Sequence, residues 1–389
     1  MTKDWRFSKR ILQIQKSAIH EMTRLSKQID DVAFLSWAKP TSDTPEHIKA
    51  AAIKAIKDGL VGGYSESSGL LELRQAISKK LVKDNGIKAH PSELIVTVGA
   101  IEGLAAAVMA VVDPGDEVIL PTPTYSTHIR HVLLASGKPI LVPLLEEEGF
   151  KLDIAAIEDA ISSKTKAILY CSPSNPTGTV FAENQLRKLA DLAIEHNLIV
   201  ITDEAYEYFT FDDHKHFSIA SIPEMKENAI SCFTFTKTYA MTGWRLGYLH
   251  ASETLIPQVK KAHIPFAICS PVVSQYAALA ALTGPQDCVE EFRQHYLSTR
   301  NLMCKRLDGL PEVFQYVKPS GSYLMFPKII HEDGKDSMKF CKKLLKEAKV
   351  STTPGIAFGP TGEQHLRLSF CVPDEQITKA FDRMEEYLK

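Results

Sequence analysis

Residues 234–248 read Thr-Phe-Thr-Lys-Thr-Tyr-Ala-Met-Thr-Gly-Trp-Arg-Leu-Gly-Tyr, with an amine at Lys237 among Thr234, Thr236 and Thr238 and with Arg245 eight positions on, between Gly243 and Gly247. A β-type run at 229–233 precedes them, so the lysine stands where a buried strand gives way to a hydroxyl-rich turn. Such an amine can form an imine with a carbonyl compound, and the guanidinium and threonine hydroxyls can take an anion such as a phosphate. Arg245 is also expected to keep Lys237 partly unprotonated, because one positive charge disfavours another beside it. On this stretch alone an ordinary surface turn is the other reading.

Four more segments put polar groups just beyond strand ends. Gly99-Ala100-Ile101-Glu102 follows a strand and opens a helix, so its backbone N–H groups can meet a phosphate at the positive end of the helix dipole; tight turning would also explain the glycine. Tyr125, after Pro121-Thr122-Pro123-Thr124, carries a ring able to stack on a flat cofactor or to pack in a core. Asn175 projects from Ser172-Pro173-Ser174-Asn175-Pro176-Thr177-Gly178, where turn chemistry accounts for the prolines and the glycine but not for the amide. Asp203 ends another strand with Tyr206 three residues on. A carboxylate there can pair with a protonated ring nitrogen and keep the ring an electron sink, while the phenol reaches a ring oxygen; a helix N-cap is the alternative role for Asp203.

The elements that must position these groups follow from periodicity. Strand-like runs fall at 94–98, 117–120, 139–142, 167–171, 198–202, 229–233 and 246–249, with amphipathic helical stretches at 102–112, 127–135, 154–161 and 183–196 between most of them. The alternation predicts an α/β fold, a mainly parallel sheet sandwiched by helices, with its binding residues in loops beyond the strand ends. Helices are also expected at 46–60, after Thr44-Pro45, and at 70–83, ending at Asn85-Gly86. From about 252 the pattern becomes helical (274–282, 289–307), then mixes strands (323–326, 366–370) with helices (337–348, 374–388). That reads as a smaller α+β domain completed by the N-terminal arm. The expected division is an arm at 1–45, a large cofactor-binding domain at 46–285 and a small domain at 286–389.

With 389 residues, 44% hydrophobic, 24% charged and a formal net charge of -2, the chain has the core of a two-domain enzyme and no global bias toward nucleic acid or membrane. Its start is amphipathic rather than a signal peptide, and no apolar run approaches the ~20 residues that span a bilayer. A cytoplasmic, soluble protein is expected. The seven cysteines are scattered without a C-x-x-C pair, which argues against a disulfide framework or a zinc site, so no metal is expected.

Taken together, Asn175-Pro176-Thr177-Gly178, Asp203-x-x-Tyr206, Thr234-x-Thr236-Lys237 and Gly243-x-Arg245-x-Gly247 resemble the class I and II pyridoxal-phosphate aminotransferases of the aspartate aminotransferase fold, fold type I. Tyr64 with Gly69 and Leu73-Arg74, Asp113-Pro114-Gly115-Asp116 and Arg367 extend the likeness over nearly the whole chain. The resemblance implies pyridoxal 5'-phosphate held covalently by Lys237, which would also move the proton between Cα and the cofactor. It implies Asp203 at the ring nitrogen, Asn175 and Tyr206 at the ring oxygen, and Tyr125 over the ring. Arg245, Thr234, Thr236 and the amides of Gly99, Ala100 and Ile101 would take the phosphate, joined by Tyr64 from a neighbouring subunit of a homodimer. Arg367, with Asn175 and the Trp37-Ala38 arm, would bind the substrate carboxylate; from its place between Leu366 and Leu368 alone, a buried structural ion pair is the other reading.

The implied reaction moves the amino group of an L-amino acid to a 2-oxo acid, 2-oxoglutarate, by a ping-pong mechanism. Two positions depart from aspartate-specific relatives: Ala38 stands where many have glycine, and Ile101 where some have a lysine that reads the acidic side chain. Apolar or aromatic donors gain by this, while aspartate stays open because a cation from elsewhere could replace the lysine; Trp37, Ile101 and Phe358 are candidate pocket walls, with simple packing as the other reading of each. A C–S β-lyase on the same fold and a non-catalytic cofactor-binding regulatory protein are the alternatives.

Overall fold

All seven expected strands join one sheet in the computed structural model, which describes residues 6–388. They are β1 (Leu94–Thr97), β2 (Glu117–Thr122), β3 (Lys138–Pro143), β4 (Thr165–Cys171), β5 (Ile199–Asp203), β6 (Ala229–Thr234) and β7 (Gly247–Ala251). Their spatial order is β1-β7-β6-β5-β4-β2-β3. Strands β2 to β6 pair in parallel, whereas β7 runs antiparallel to both β1 and β6. Nothing in the alternation of strands and helices signals that reversal. Its cause is the short 235–246 connection, which holds only a four-residue helix and a turn and lacks the crossover helix that a parallel return requires. The consequence is functional: β7 begins at the edge where the other strands end, so Arg245 arrives beside Lys237.

Side-chain alternation covers the sheet on both faces. Ile119, Ile168 and Val200 enter one apolar cluster with the helix Glu183–Glu195, while Val118, Leu120, Ala167, Leu169 and Ile201 enter another with the helices Ala100–Val111 and Ile256–Ala267. At the β1 end, the helices Glu46–Lys57, Leu71–Asn85 and Val272–Thr283 pack over Leu94, Val96, Phe233 and Tyr248. Leu71–Asn85 stops as expected, because Gly86 takes the left-handed conformation at φ 69° that glycine adopts without penalty. Gly247 is required for a different reason: a Cβ there would lie 2.6 Å from both the Ala100 amide nitrogen and the Phe233 carbonyl oxygen. Gly247→Ala is therefore expected to destabilise the protein by about 1–3 kcal/mol through overpacking, read as a lower urea midpoint.

The N-terminal region differs in detail from the single amphipathic helix of the sequence pattern. It forms a short helix Lys9–Leu12, a second helix Ala18–Ser26 capped by Ser17, and a strand Ala33–Phe34 parallel to Val350–Ser351. Met22, Val32, Ala33 and Leu35 enter an apolar cluster with Tyr296, Leu324, Leu344, Leu366 and Phe381, so the first and last parts of the chain share one core. Among the described residues no helix is long and apolar enough to cross a membrane.

Candidate active site

The strand ends open on a cavity of about 550 Å³ lined by the arm Ser36, Trp37, Ala38 and Lys39, by Gly99, Ala100 and Ile101, and by Tyr125, Asn175, Asp203, Tyr206, Thr234, Thr236, Lys237, Arg245 and Arg367. Every site residue expected from the sequence lies there except Tyr64 and Phe358. Tyr64 is 82% exposed on the outside of its own chain. Phe358, expected as a pocket wall, is fully buried instead, with its ring 5.2 Å from the Arg367 guanidinium carbon. An apolar ring beneath a cation is more useful as a shelf than as a wall.

Lys237 reaches the cavity because β6 runs into the short helix Phe235–Thr238, which Thr234 caps by accepting the Thr236 amide at 3.1 Å. Its Nζ donates to the Ala38 carbonyl at 2.8 Å and lies 5.6 and 5.5 Å from the Tyr206 and Tyr323 ring centroids. The amine's pKa is lowered to about 8, chiefly because burial disfavours its charged form. Arg367 and, more weakly, Arg245 push the same way, while Cys371 and Asp203 oppose them. The expected influence of Arg245 thus has the right sign but is not the main cause.

Asp203 ends β5, in register with Cys232 on β6, and is buried. Its Oδ1 accepts the Ala205 amide at 3.2 Å, and no helix begins there for it to cap. Its Oδ2 pairs with Nε2 of fully buried His128 at 3.1 Å, and His128 Nδ1 meets the Thr124 hydroxyl at 3.0 Å. Sequence reasoning missed His128. The signal was its place one helical turn after Thr124, on the Ser126–Leu134 helix that Tyr125 introduces. Tyr125 is half-buried at the cavity, edge-on to His128 at 5.5 Å.

The cationic groups have conspicuously neutral company. Arg245 sits in the left-handed region at φ 54° and is exposed, with Nη1 donating to the Thr242 carbonyl at 3.0 Å. Arg367, in the strand Leu366–Ser369, is only 3% exposed. It donates to the Ser36 carbonyl at 2.6 Å and to Asn175 Oδ1 and Thr353 Oγ1 at 3.3 Å each, and its Nε has no partner. No carboxylate among the described residues pairs with it, so the structural ion pair that could explain a buried arginine is absent there. Burial lowers its pKa. Beside it, Tyr323 donates its hydroxyl to the Ala38 carbonyl at 3.1 Å, and Ile19 and Thr23 of the Ala18–Ser26 helix line the mouth. None of these three residues stood out in the sequence. Cys171 is buried with Sγ against the Pro173 carbonyl, which fits a packing role.

An amine, a carboxylate and two arginines share one cavity at the strand ends of this sheet, a set of groups suited to amino-group transfer. The chain belongs to the family described as aminotransferase class I and II, which it matches over residues 31–384, and it is an aminotransferase. It is 41% identical over 387 residues to an aspartate aminotransferase of Pyrococcus abyssi, covering 98% of each chain. It is 40% identical over 387 residues to aromatic-amino-acid aminotransferase 2 of Thermococcus litoralis, again with 98% of each covered. Its fold matches that of the aspartate aminotransferase from Thermus thermophilus with maleate at a TM-score of 0.92, with 32% identity over 98% of this chain and 99% of that one.

Proposed function

We propose that this aminotransferase uses pyridoxal 5'-phosphate to move the amino group of an L-amino acid to 2-oxoglutarate by a ping-pong mechanism. The observation that carries this reading is the meeting of Lys237, Asp203, Arg245 and Arg367 in one cavity. The cofactor family implies fits the residues present. Arg245 is exposed and pairs with no carboxylate among the described residues, next to the open N-terminus of the helix Ala100–Val111, and Gly99 leaves the space between them clear, since a Cβ there would lie 2.8 Å from Arg245 Nη2. When bound, pyridoxal phosphate supplies an aldehyde that takes up the amino group and a ring that accepts the electron pair left at Cα.

The chain's own groups do the rest. Arg245, Thr234, Thr236 and the amides of Gly99, Ala100 and Ile101 hold the phosphate. Asp203, oriented by His128, would take the ring nitrogen, Asn175 and Tyr206 the ring oxygen, and Tyr125 the face of the ring. Arg367 holds the donor's α-carboxylate and so turns its Cα–H bond toward Lys237. Lys237 Nζ then takes that proton and returns it. Trp37, 40% exposed and stacked on Phe34 at 4.6 Å, and Ile101, also 40% exposed, offer apolar surface to the donor's side chain, which favours apolar and aromatic donors.

The same reading makes the protein a cytoplasmic homodimer, with Tyr64 reaching a neighbouring subunit's phosphate site, and divides the chain into 1–45, 46–285 and 286–389. The exposure of Tyr64, and of Ile53 and Ile56 on the nearby helix, supports a covered face there.

The test is a panel of amino acids offered to the cofactor-loaded protein while the spectrum of the bound cofactor is followed. Phenylalanine and leucine should convert it from its aldehyde to its amine form, and 2-oxoglutarate should restore it, with parallel double-reciprocal plots. Release of pyruvate and ammonia from an S-substituted cysteine without any 2-oxo acid would replace this reading with a lyase.

A further inference from the structure

The Ala38 carbonyl oxygen receives two donors from two distant parts of the chain. Lys237 Nζ reaches it at 2.8 Å from the turn after β6, and the Tyr323 hydroxyl reaches it at 3.1 Å from a segment 86 residues further on. A carbonyl has two lone pairs, so both bonds can be made at once. Tyr323 is fully buried and immobilised: its ring stands edge-on to Tyr206 at 5.1 Å and to Tyr296 at 5.3 Å, and its carbonyl accepts the Phe370 amide at 3.0 Å. Its hydroxyl therefore has a fixed direction, and what it fixes is the oxygen on which the reactive amine rests.

We propose that Tyr323 is a positioning residue for Lys237: by sharing the Ala38 carbonyl it holds that oxygen as the amine's resting place and limits how tightly a protonated amine is bound there. The physical basis is the sign of the O–H dipole. Its positive end lies on the same oxygen as the amine, so it opposes an ammonium there and favours the neutral form. When the amine leaves that oxygen, the tyrosine keeps the carbonyl hydrogen-bonded, and the move strands no buried acceptor. Burial holds the Tyr323 hydroxyl protonated by pushing its pKa well above the usual phenol range, so it donates throughout the working pH range. The other groups acting on the amine are Asp203, Arg245, Arg367, Cys371 and the Tyr206 ring, and Tyr323→Phe alters none of them.

The test reads Lys237 directly and rests on the proposed function only for its second arm. In the first arm, protein freed of any cofactor is labelled with an amine-reactive reagent across pH, and Lys237 is followed by mass spectrometry. The parent's labelling should rise to half its plateau near pH 8. In Tyr323→Phe the midpoint should move up by about half a unit to one unit. In the second arm, capture of pyridoxal phosphate by the stripped protein at pH 7 should slow about three- to tenfold in the variant, the same shift expressed as neutral amine, and match the parent above pH 9. A midpoint that stays in place while the urea midpoint falls would make the hydroxyl merely structural and overturn the proposal; so would slowing that is equal at every pH. If the parent captures no cofactor, the proposed function fails while the labelling midpoints still decide the role of Tyr323.

Discussion

Lys237→Ala is expected to lower transamination by about 10⁴-fold or more while leaving a folded protein that still binds the cofactor through its phosphate. The phenols and the carboxylate nearest Lys237 are poor replacements for it. Burial raises the Tyr206 and Tyr323 hydroxyls well above the usual phenol range, so neither is a base near neutral pH. Asp203 is engaged with His128 and the Ala205 amide. Small primary amines added to the variant should restore part of the lost rate, because they supply the missing base without its tether, and the tether is what provides the effective concentration. Turnover within tenfold of the parent in the variant, under single-turnover conditions, would remove Lys237 from the chemistry.

Arg367→Leu should separate binding from stability. The guanidinium is buried with neutral partners and one unpartnered nitrogen, a state that disfavours its charge until an anion arrives. Removing it deprives the substrate carboxylate of its partner, an effect of about 2–5 kcal/mol for truncating one side of a buried charge pair. The value of kcat/KM for amino acids should therefore fall about 30- to 3000-fold. The Tm of the cofactor-free protein should stay level or rise, because leucine carries no charge to desolvate. A large fall in Tm with kcat/KM unchanged would instead make Arg367 a structural group. Lysine at this position should restore only part of the activity, since a point charge cannot make the two parallel bonds of a guanidinium fork.

Much of this was legible along the chain because the groups that contact the cofactor and substrate follow strands directly. Lys237 and Asp203 each sit at or just after the end of a strand that is buried where it meets the cavity, and strands β5 and β6 are neighbours. A strand end fixes both the place and the direction of the residue that follows it. Gly99 and Asn175 were readable on the same principle. The groups that orient them were not. His128 lies in an amphipathic helix whose pattern any buried histidine would satisfy, and Tyr323 lies in a short segment whose partners, Phe370 and the Ala38 arm, are distant in sequence. Phe358 is not a pocket wall because an aromatic residue in a glycine-bracketed loop can turn inward or outward, and this one turns inward against Phe326 and the Arg367 guanidinium.

The order of residues is enough to specify the strands, the helices between them, the amine and the carboxylate at two strand ends, and the family to which the chain belongs. These are local matters, set by hydrophobic period and by which residue follows each strand. Only the tertiary structure decided that β7 turns back, that burial rather than Arg245 sets the amine's basicity, that Arg367 has no carboxylate partner among the described residues, and that the Ala38 carbonyl joins Lys237 to Tyr323. Each of these depends on groups far apart in sequence sharing one low-dielectric space, and the energy of a charge or a hydrogen bond there is set by everything packed around it.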